Sequence, residues 1–102
     1  MLQSNVSLEG KTVLVTGAAG FIGANLVKRL FSDIKEIKVI GIDSITDYYD
    51  VNIKYERLKE IEGLKRDWVF IKGSIADKEL VEKIFTEYHP AVVVNLAAQA
   101  GV

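Results

Sequence analysis

Apolar and polar positions along this chain fall into blocks whose period changes. Thr12-Val13-Leu14-Val15-Thr16 is a near-continuous apolar run, the pattern of a short strand covered on both faces of a parallel sheet. Gly17 to Gly20 reads as a tight Gly/Ala turn. From about residue 21 to 31 the period is helical. Ile22, Leu26 and Leu30 share one stripe, with Val27 and Phe31 beside it, and Asn25, Lys28 and Arg29 face water. Ser32-Asp33 breaks that pattern, and residues 38–42 form a second strand. A polar loop with two tyrosines, residues 43–50, leads into a second helix over about residues 51–62. Tyr55, Leu58 and Ile61 or Glu62 recur there at helical spacing, and Gly63 is placed to stop the helix. Trp68-Val69-Phe70-Ile71 is a third strand. Ser74 to Asp77 leads into a third helix with Asp77 as its N-cap. Its apolar face is Leu80, Val81, Ile84, Phe85 and Tyr88, and Pro90 prevents it from continuing. Ala91-Val92-Val93-Val94-Asn95 is a fourth strand.

Strands and helices alternate throughout. That order implies right-handed crossovers and a parallel sheet. The fold class is α/β, the N-terminal part of a doubly wound sheet with strand order 3-2-1-4. No internal repeat or linker interrupts it. The last residues, Ala98 to Val102, do not read as a natural terminus, so the chain is expected to be a single-domain fragment. An apolar fourth strand left at a sheet edge is a template for pairing. If the chain self-associates, the edge formed by Ala91 to Asn95 is the expected place.

Composition narrows the function by exclusion. The 102 residues suffice for one domain, which buries roughly two-thirds of its unfolded surface or a little less. Apolar residues make up 49% and charged residues 26%, the balance of an ordinary globular protein. The net charge is −1 with no basic block, which gives no support for nucleic-acid capture. Charges alternate in sign between Lys54 and Asp67, the pattern of a solvated helix face. There is no cysteine and one histidine, His89, so thiolate chemistry and a histidine metal cluster are excluded. The N-terminus lacks the pattern of a secretion signal. No apolar run approaches the roughly 20 residues of a membrane span. A cytoplasmic protein with no membrane partner is the default expectation.

The chemistry lies in Gly17-Ala18-Ala19-Gly20-Phe21-Ile22-Gly23, glycines spaced G-x-x-G-x-x-G directly after a strand and opening an amphipathic helix. That context is what a dinucleotide-binding turn requires. Gly17 lets the chain leave the strand sharply. Gly20 removes a side chain where backbone must approach a pyrophosphate. Gly23 lets the helix pack closely against the sheet. The helix N-terminus, with Phe21 and Ile22, then offers N–H groups and a positive dipole end to phosphate. No Lys-Ser or Lys-Thr pair follows the last glycine, so this is not a nucleotide-hydrolysing P-loop.

Asp43 closes the second predicted strand, twenty positions past Gly23, with Ser44 beside it. A carboxylate there can accept hydrogen bonds from the adenosine ribose hydroxyls, worth about 1.5–3 kcal/mol each. It would repel a 2′-phosphate, so the cofactor expected is NAD rather than NADP. A turn-initiating Asp is the competing reading. Replacing Asp43 by Ala is expected to weaken NAD binding and leave the fold intact.

Residues Val13 to Gly23 closely resemble the opening of the extended short-chain dehydrogenase/reductases, the nucleotide-sugar epimerases and dehydratases. Within that family, Gly41-Ile42-Asp43-Ser44-Ile45-Thr46-Asp47-Tyr48-Tyr49-Asp50-Val51 is most similar to the UDP-glucuronate 4-epimerases. Residues Val93 to Val102 fit the same group. The resemblance implies an NAD-binding Rossmann domain whose loop after the third strand touches the adenine. Family members usually carry Asp-Ile there, and this chain has Ser74-Ile75. It also implies that Leu96, Ala97 and Ala98 pass close to the pyrophosphate and nicotinamide ribose. Family chemistry uses a Tyr-x-x-x-Lys pair with a nearby Ser or Thr, well past the fourth strand. The one such spacing here, Tyr55 to Lys59, lies on the second helix and is read as a surface coincidence. No catalytic residue and no metal ligand is assigned. The resemblance implies the NAD-binding portion of a nucleotide-sugar epimerase, or alternatively of a 4,6-dehydratase. A non-catalytic NAD-binding or interaction module is the third alternative. The sugar-binding part and the nucleotide-sugar substrate would belong to a full-length parent.

Overall fold

The computed structural model describes residues 8–45 and 51–96. Seven elements follow one another: β1 (Lys11–Thr16), α1 (Phe21–Asp33), β2 (Ile37–Asp43), α2 (Val51–Gly63), β3 (Asp67–Lys72), α3 (Lys78–Tyr88) and β4 (Val92–Asn95). The sheet is wholly parallel, in the order β3-β2-β1-β4. All four carboxyl ends therefore meet along one edge.

Alternation along β1 and β2 divides the core into two layers. Val13, Val15, Ile37 and Val39 face one side, where they meet Ala24, Val27, Leu30 and Phe31 of α1 and Ile61 of α2. Leu14, Ile40 and Ile42 face the other side, where Ile84 packs against them with half-buried Leu80 and Tyr88 of α3. Burial on both faces is why these strands read as continuous apolar runs. Two helices on one face and one on the other put the reversal of winding between β1 and β4, the place where doubly wound sheets open a crevice.

The apolar stripe of α1 is rotated from the expected one. Ile22 is 68% exposed, while the buried residues are Gly23, Ala24, Val27, Leu30 and Phe31. Gly23 and Ala24 carry little hydrophobicity, so the pattern understates them. They bring the helix backbone close to its neighbours, and that contact sets which side turns inward. The helix also runs on through Ser32-Asp33, where Arg29 pairs with Asp33 at 2.8 Å. It ends where the Arg66 guanidinium donates to the carbonyls of Phe31, Ile34 and Lys35. On α2, Leu58 and Ile61 are buried and Tyr55 is exposed. Gly63 is the last residue of that helix rather than its stop. The left-handed residue is Lys65, at φ 57°. Asp77 caps α3 as expected, accepting from the Leu80 N–H at 3.2 Å. Phe85, expected on the apolar face of α3, is exposed. Among the described residues, no helix is long and apolar enough to cross a membrane.

Candidate functional site

The site is the carboxyl edge of the sheet, and its centre is the turn between β1 and α1. Gly17 adopts φ +70°, a conformation that side chains with a Cβ resist. The N–H groups of Gly17 and Ala18 both donate to the Ile42 carbonyl, at 2.9 and 3.3 Å, and the Gly20 N–H donates to the Gly17 carbonyl at 3.1 Å. The Ala19 N–H donates to Asp43 Oδ2 at 3.0 Å. The N–H groups of Gly17, Ala18, Ala19 and Gly20 are thus all satisfied, and so is the Ile42 carbonyl at the β2 end. Gly20 is the N-cap of α1 and brings no side-chain cap. Helical geometry gives the N–H groups of Phe21, Ile22 and Gly23 no intrahelical acceptor. They converge on the open end of the helix, where the dipole favours an anion.

The three glycines answer different constraints. A Cβ on Gly23 would overlap the Gly17 carbonyl oxygen, and it would lie 2.9 Å from the Gly17 carbonyl carbon and 3.0 Å from Ala18 Cα. Gly23 therefore serves contact between the helix and its own turn, where contact with the sheet was expected. A Cβ on Gly20 would meet only the Gly17 oxygen, at 3.3 Å, and the backbone there is ordinary at φ −73°. That contact is tight and asks the turn to give by a few tenths of an ångström, a smaller demand for glycine than at Gly23. Gly20 is half-buried, between buried Ala19 and exposed Phe21.

Asp43 lies at the end of β2 and is only 6% exposed. Besides Ala19, its carboxylate accepts from the Ile45 N–H at 2.8 Å and from Lys54 Nζ at 3.2 Å. The carboxylate thus both starts a turn and braces the glycine loop, and the two sequence readings of Asp43 are compatible. Replacing it by Ala would remove support from the loop as well as any ribose contact. Asn, which keeps an acceptor, is the cleaner substitution. Ser44 is exposed beside it.

Sheet pairing brings the β3 end alongside, with the Gly73 N–H donating to the Asp43 carbonyl at 3.0 Å. Ser74 is exposed, and its hydroxyl oxygen accepts from the Ala76 N–H at 3.0 Å. Its O–H hydrogen remains a donor. Ile75 is half-buried against the α3 layer. On the far side, Thr16 Oγ1 donates to Asn95 Oδ1 at 2.6 Å and accepts from the Leu96 N–H at 2.9 Å. That bridge ties Leu96 to the end of β1. Ala97 and Ala98 lie outside the described residues, as do Tyr48 and Tyr49.

Three basic residues in the alternating charge run are not a solvated face. Lys54, Arg57 and Arg66 are half-buried. Lys54 pairs with Asp43, and Arg57 Nη1 donates to the Ala19 carbonyl at 3.1 Å. Lys54 and Arg57 are three apart on α2, the spacing of one helix face, which is the signal that could have found them. Trp68 was read from the sequence only as part of the third strand. Its ring occupies the space that a side chain on Gly41 would fill, a position 2.8 Å from Ala18 Cβ, so Gly41 admits the indole beneath the turn. Tyr55 and Lys59 are exposed on α2. Among the described residues, no group of three or more His, Cys, Asp or Glu could hold a metal ion.

Residues 14–102 match the family model described as GDP-mannose 4,6 dehydratase. Protein CapI of Staphylococcus aureus is 48% identical over 90 residues, covering 88% of this chain and 26% of that protein. A crystal structure of dTDP-glucose 4,6-dehydratase from Bacillus anthracis in complex with NAD superposes with a TM-score of 0.75 at 34% identity. The match covers 88% of this chain and 27% of that one. UDP-glucuronic acid 4-epimerase from Bacillus cereus in complex with NAD gives 0.73 at 33% identity, covering 89% and 28%. The chain thus spans about a quarter of the length of these relatives. Sequence, strand order and turn geometry agree, and the chain belongs to the NAD-dependent epimerase/dehydratase family of short-chain dehydrogenase/reductases.

Proposed function

We propose that this chain binds NAD along the carboxyl edge of its sheet, as the cofactor-binding portion of a nucleotide-sugar epimerase resembling the UDP-glucuronate 4-epimerases. The observation that carries the reading is the braced glycine turn, which presents the N–H groups of Phe21, Ile22 and Gly23 at an open helix end. The pyrophosphate would sit there, with Gly20 allowing its approach. Asp43 and Ser44 would hold the adenosine ribose, and Ser74 and Ile75 would border the adenine. Leu96, Ala97 and Ala98 would line the passage toward the nicotinamide ribose. NAD bound there would supply a reversible hydride acceptor for the sugar C4 position. This chain's residues hold and orient the cofactor. Proton transfer from the sugar belongs, in this reading, to a Tyr-x-x-x-Lys pair beyond Val102 in a full-length cytoplasmic parent.

Calorimetric titration of the chain with NAD tests the binding. Saturable binding is expected for the wild type and weaker binding for Gly20→Ala. A wild type that takes up no NAD would remove the reading. Asp43 would also disfavour a 2′-phosphate, although the Lys54 ammonium 3.2 Å away offsets part of its charge. Asp43→Asn is therefore expected to narrow the preference for NAD over NADP, and an unchanged ratio would reassign Asp43 to bracing the turn alone.

The dehydratase alternative is favoured by two observations, the match to the family model described as GDP-mannose 4,6 dehydratase and the equally close superposition on an NAD-bound 4,6-dehydratase. Products formed from UDP-glucuronate and from dTDP-glucose by the full-length gene product separate the two. A C4 epimer supports the first reading, and a 4-keto-6-deoxy sugar supports the second. Self-association through β4 is a further part of the proposal. β4 is the outer strand of the sheet, and Val93 on it is 46% exposed. Sedimentation equilibrium is expected to show dimerisation of the chain that Val93→Lys weakens. A monomer at high concentration would exclude it.

A further inference from the structure

Ala19 is held at both ends of its residue. Its N–H donates to Asp43 Oδ2 from β2, and its carbonyl accepts from Arg57 Nη1 of α2. The residue is fully buried, yet the next two positions open to solvent, and Phe21 is 69% exposed. The Arg57 guanidinium carbon lies 5.8 Å from the centroid of the Phe21 ring, within cation–π range. One planar cation thus spans the last buried residue of the turn and the first residue of α1. The Ala19 carbonyl belongs to the same peptide plane as the Gly20 N–H, which donates to the Gly17 carbonyl. Arg57 and Gly17 together fix that plane, and its orientation sets the direction in which the Phe21, Ile22 and Gly23 N–H groups point.

We propose that Arg57 is a positioning residue for the phosphate-binding turn, acting on the cofactor diphosphate through the Ala19–Gly20 peptide and the Phe21 ring. The proposal rests on the NAD-binding reading and adds a residue on α2 to it. Preorganised donors bind an anion better than donors that must be ordered on binding, because the ordering cost is met in advance. The effect should fall on ligands that carry a diphosphate and spare those that do not. Lysine at position 57 retains the charge and one donor, but it has no planar fork to span the carbonyl and the ring together.

The test is an amide-resolved NMR titration of the 102-residue chain with NAD, with ADP and with adenosine, following Phe21, Ile22 and Gly23. It is run on the wild type, Arg57→Met and Arg57→Lys, with thermal melts of each. Arg57→Met is expected to raise the Kd for NAD and for ADP about tenfold, the scale of one charge-assisted hydrogen bond. Adenosine affinity should change little, and Arg57→Lys should recover part of the loss. Unchanged NAD and ADP affinity in Arg57→Met would overturn the role. So would an equal loss for all three ligands accompanied by a fall in melting temperature, because that pattern marks a general support of the fold. Failure of the wild type to bind NAD or ADP would remove the underlying reading and this role with it.

Discussion

A single added methyl group separates the duties of the glycines in the turn. At Gly23 it would enter the space of the Gly17 carbonyl, which is backbone and cannot swing away. Overpacking of this kind costs about 1–3 kcal/mol, so Gly23→Ala is expected to lower the denaturation midpoint and cofactor affinity together. At Gly20 the same methyl meets one atom at 3.3 Å. Gly20→Ala is expected to melt within a few degrees of the wild type while losing NAD affinity. Equal destabilisation by the two substitutions would contradict this division of roles. The G-x-x-G-x-x-G spacing identified all three residues, but it did not show which partner each one meets. Gly23 was assigned to the sheet and serves the turn. Sequence spacing gives the order of contacts along a chain, and the atom a missing Cβ makes room for is fixed only when α1 docks. The same holds for Lys54 and Arg57, whose charges resemble those of a solvated face until α2 lies beside the turn.

Helix ends were legible where a local side chain makes the cap. Asp77 reaches the Leu80 N–H three residues on, and a bond this local is written in the sequence. Asp77→Ala is expected to cost about 1 kcal/mol, measured by urea denaturation, without affecting NAD binding. The C-terminus of α1 was not legible, because its cap comes from Arg66, more than thirty residues away. Arg66 also lies over the Phe31 ring, with its guanidinium carbon 5.0 Å from the centroid. Arg66→Met leaves the last carbonyls of α1 without these donors, and hydrogen bonds to charged groups contribute about 1.5–3 kcal/mol. A loss at the lower end of that range is expected at a half-exposed site. A melting curve indistinguishable from the wild type would refute the capping role. Between α1 and α2, Lys28 and Glu60 pair at 2.7 Å. The hydrogen bond from Lys28, then its charge, holds the Glu60 carboxyl below its ordinary value, and Arg57 adds to this. With the folded value depressed, the pair's support is present at neutral pH and is lost as pH falls through the Glu60 titration. NMR titration of the wild type against Lys28→Met should show that titration moving to higher pH in the variant.

At the scale of the molecule, the parallel sheet gathers the ends of four strands onto one edge, and every candidate cofactor contact among the described residues lies at or next to that edge. A ligand that binds the folded chain and not the unfolded one stabilises it by mass action, about 2.7 kcal/mol at a hundredfold excess over Kd. NAD at that excess is therefore expected to raise the melting temperature by several degrees, and AMP at the same concentration by less. An equal shift for both would mean that the diphosphate is not read by the turn. Strand order was legible because alternating strands and helices with right-handed crossovers leave few arrangements. The rotation of α1 was not, because burial there depends on the close approach of Gly23 to the turn, and glycine carries no hydrophobic signal.

The sequence by itself determined the elements, their parallel order, the glycine-rich turn and the family to which the chain belongs. Each of these depends on local periodicity, on glycine's missing Cβ, or on the few ways that alternating elements can pack. The tertiary structure alone decided which face of α1 is buried, that Asp43 braces the turn through Ala19, and that Lys54, Arg57 and Arg66 turn inward. It also decided that Gly41 makes room for Trp68. These contacts join residues eleven to more than thirty positions apart, and their energies exist only once the sheet has brought distant segments within hydrogen-bonding and van der Waals range.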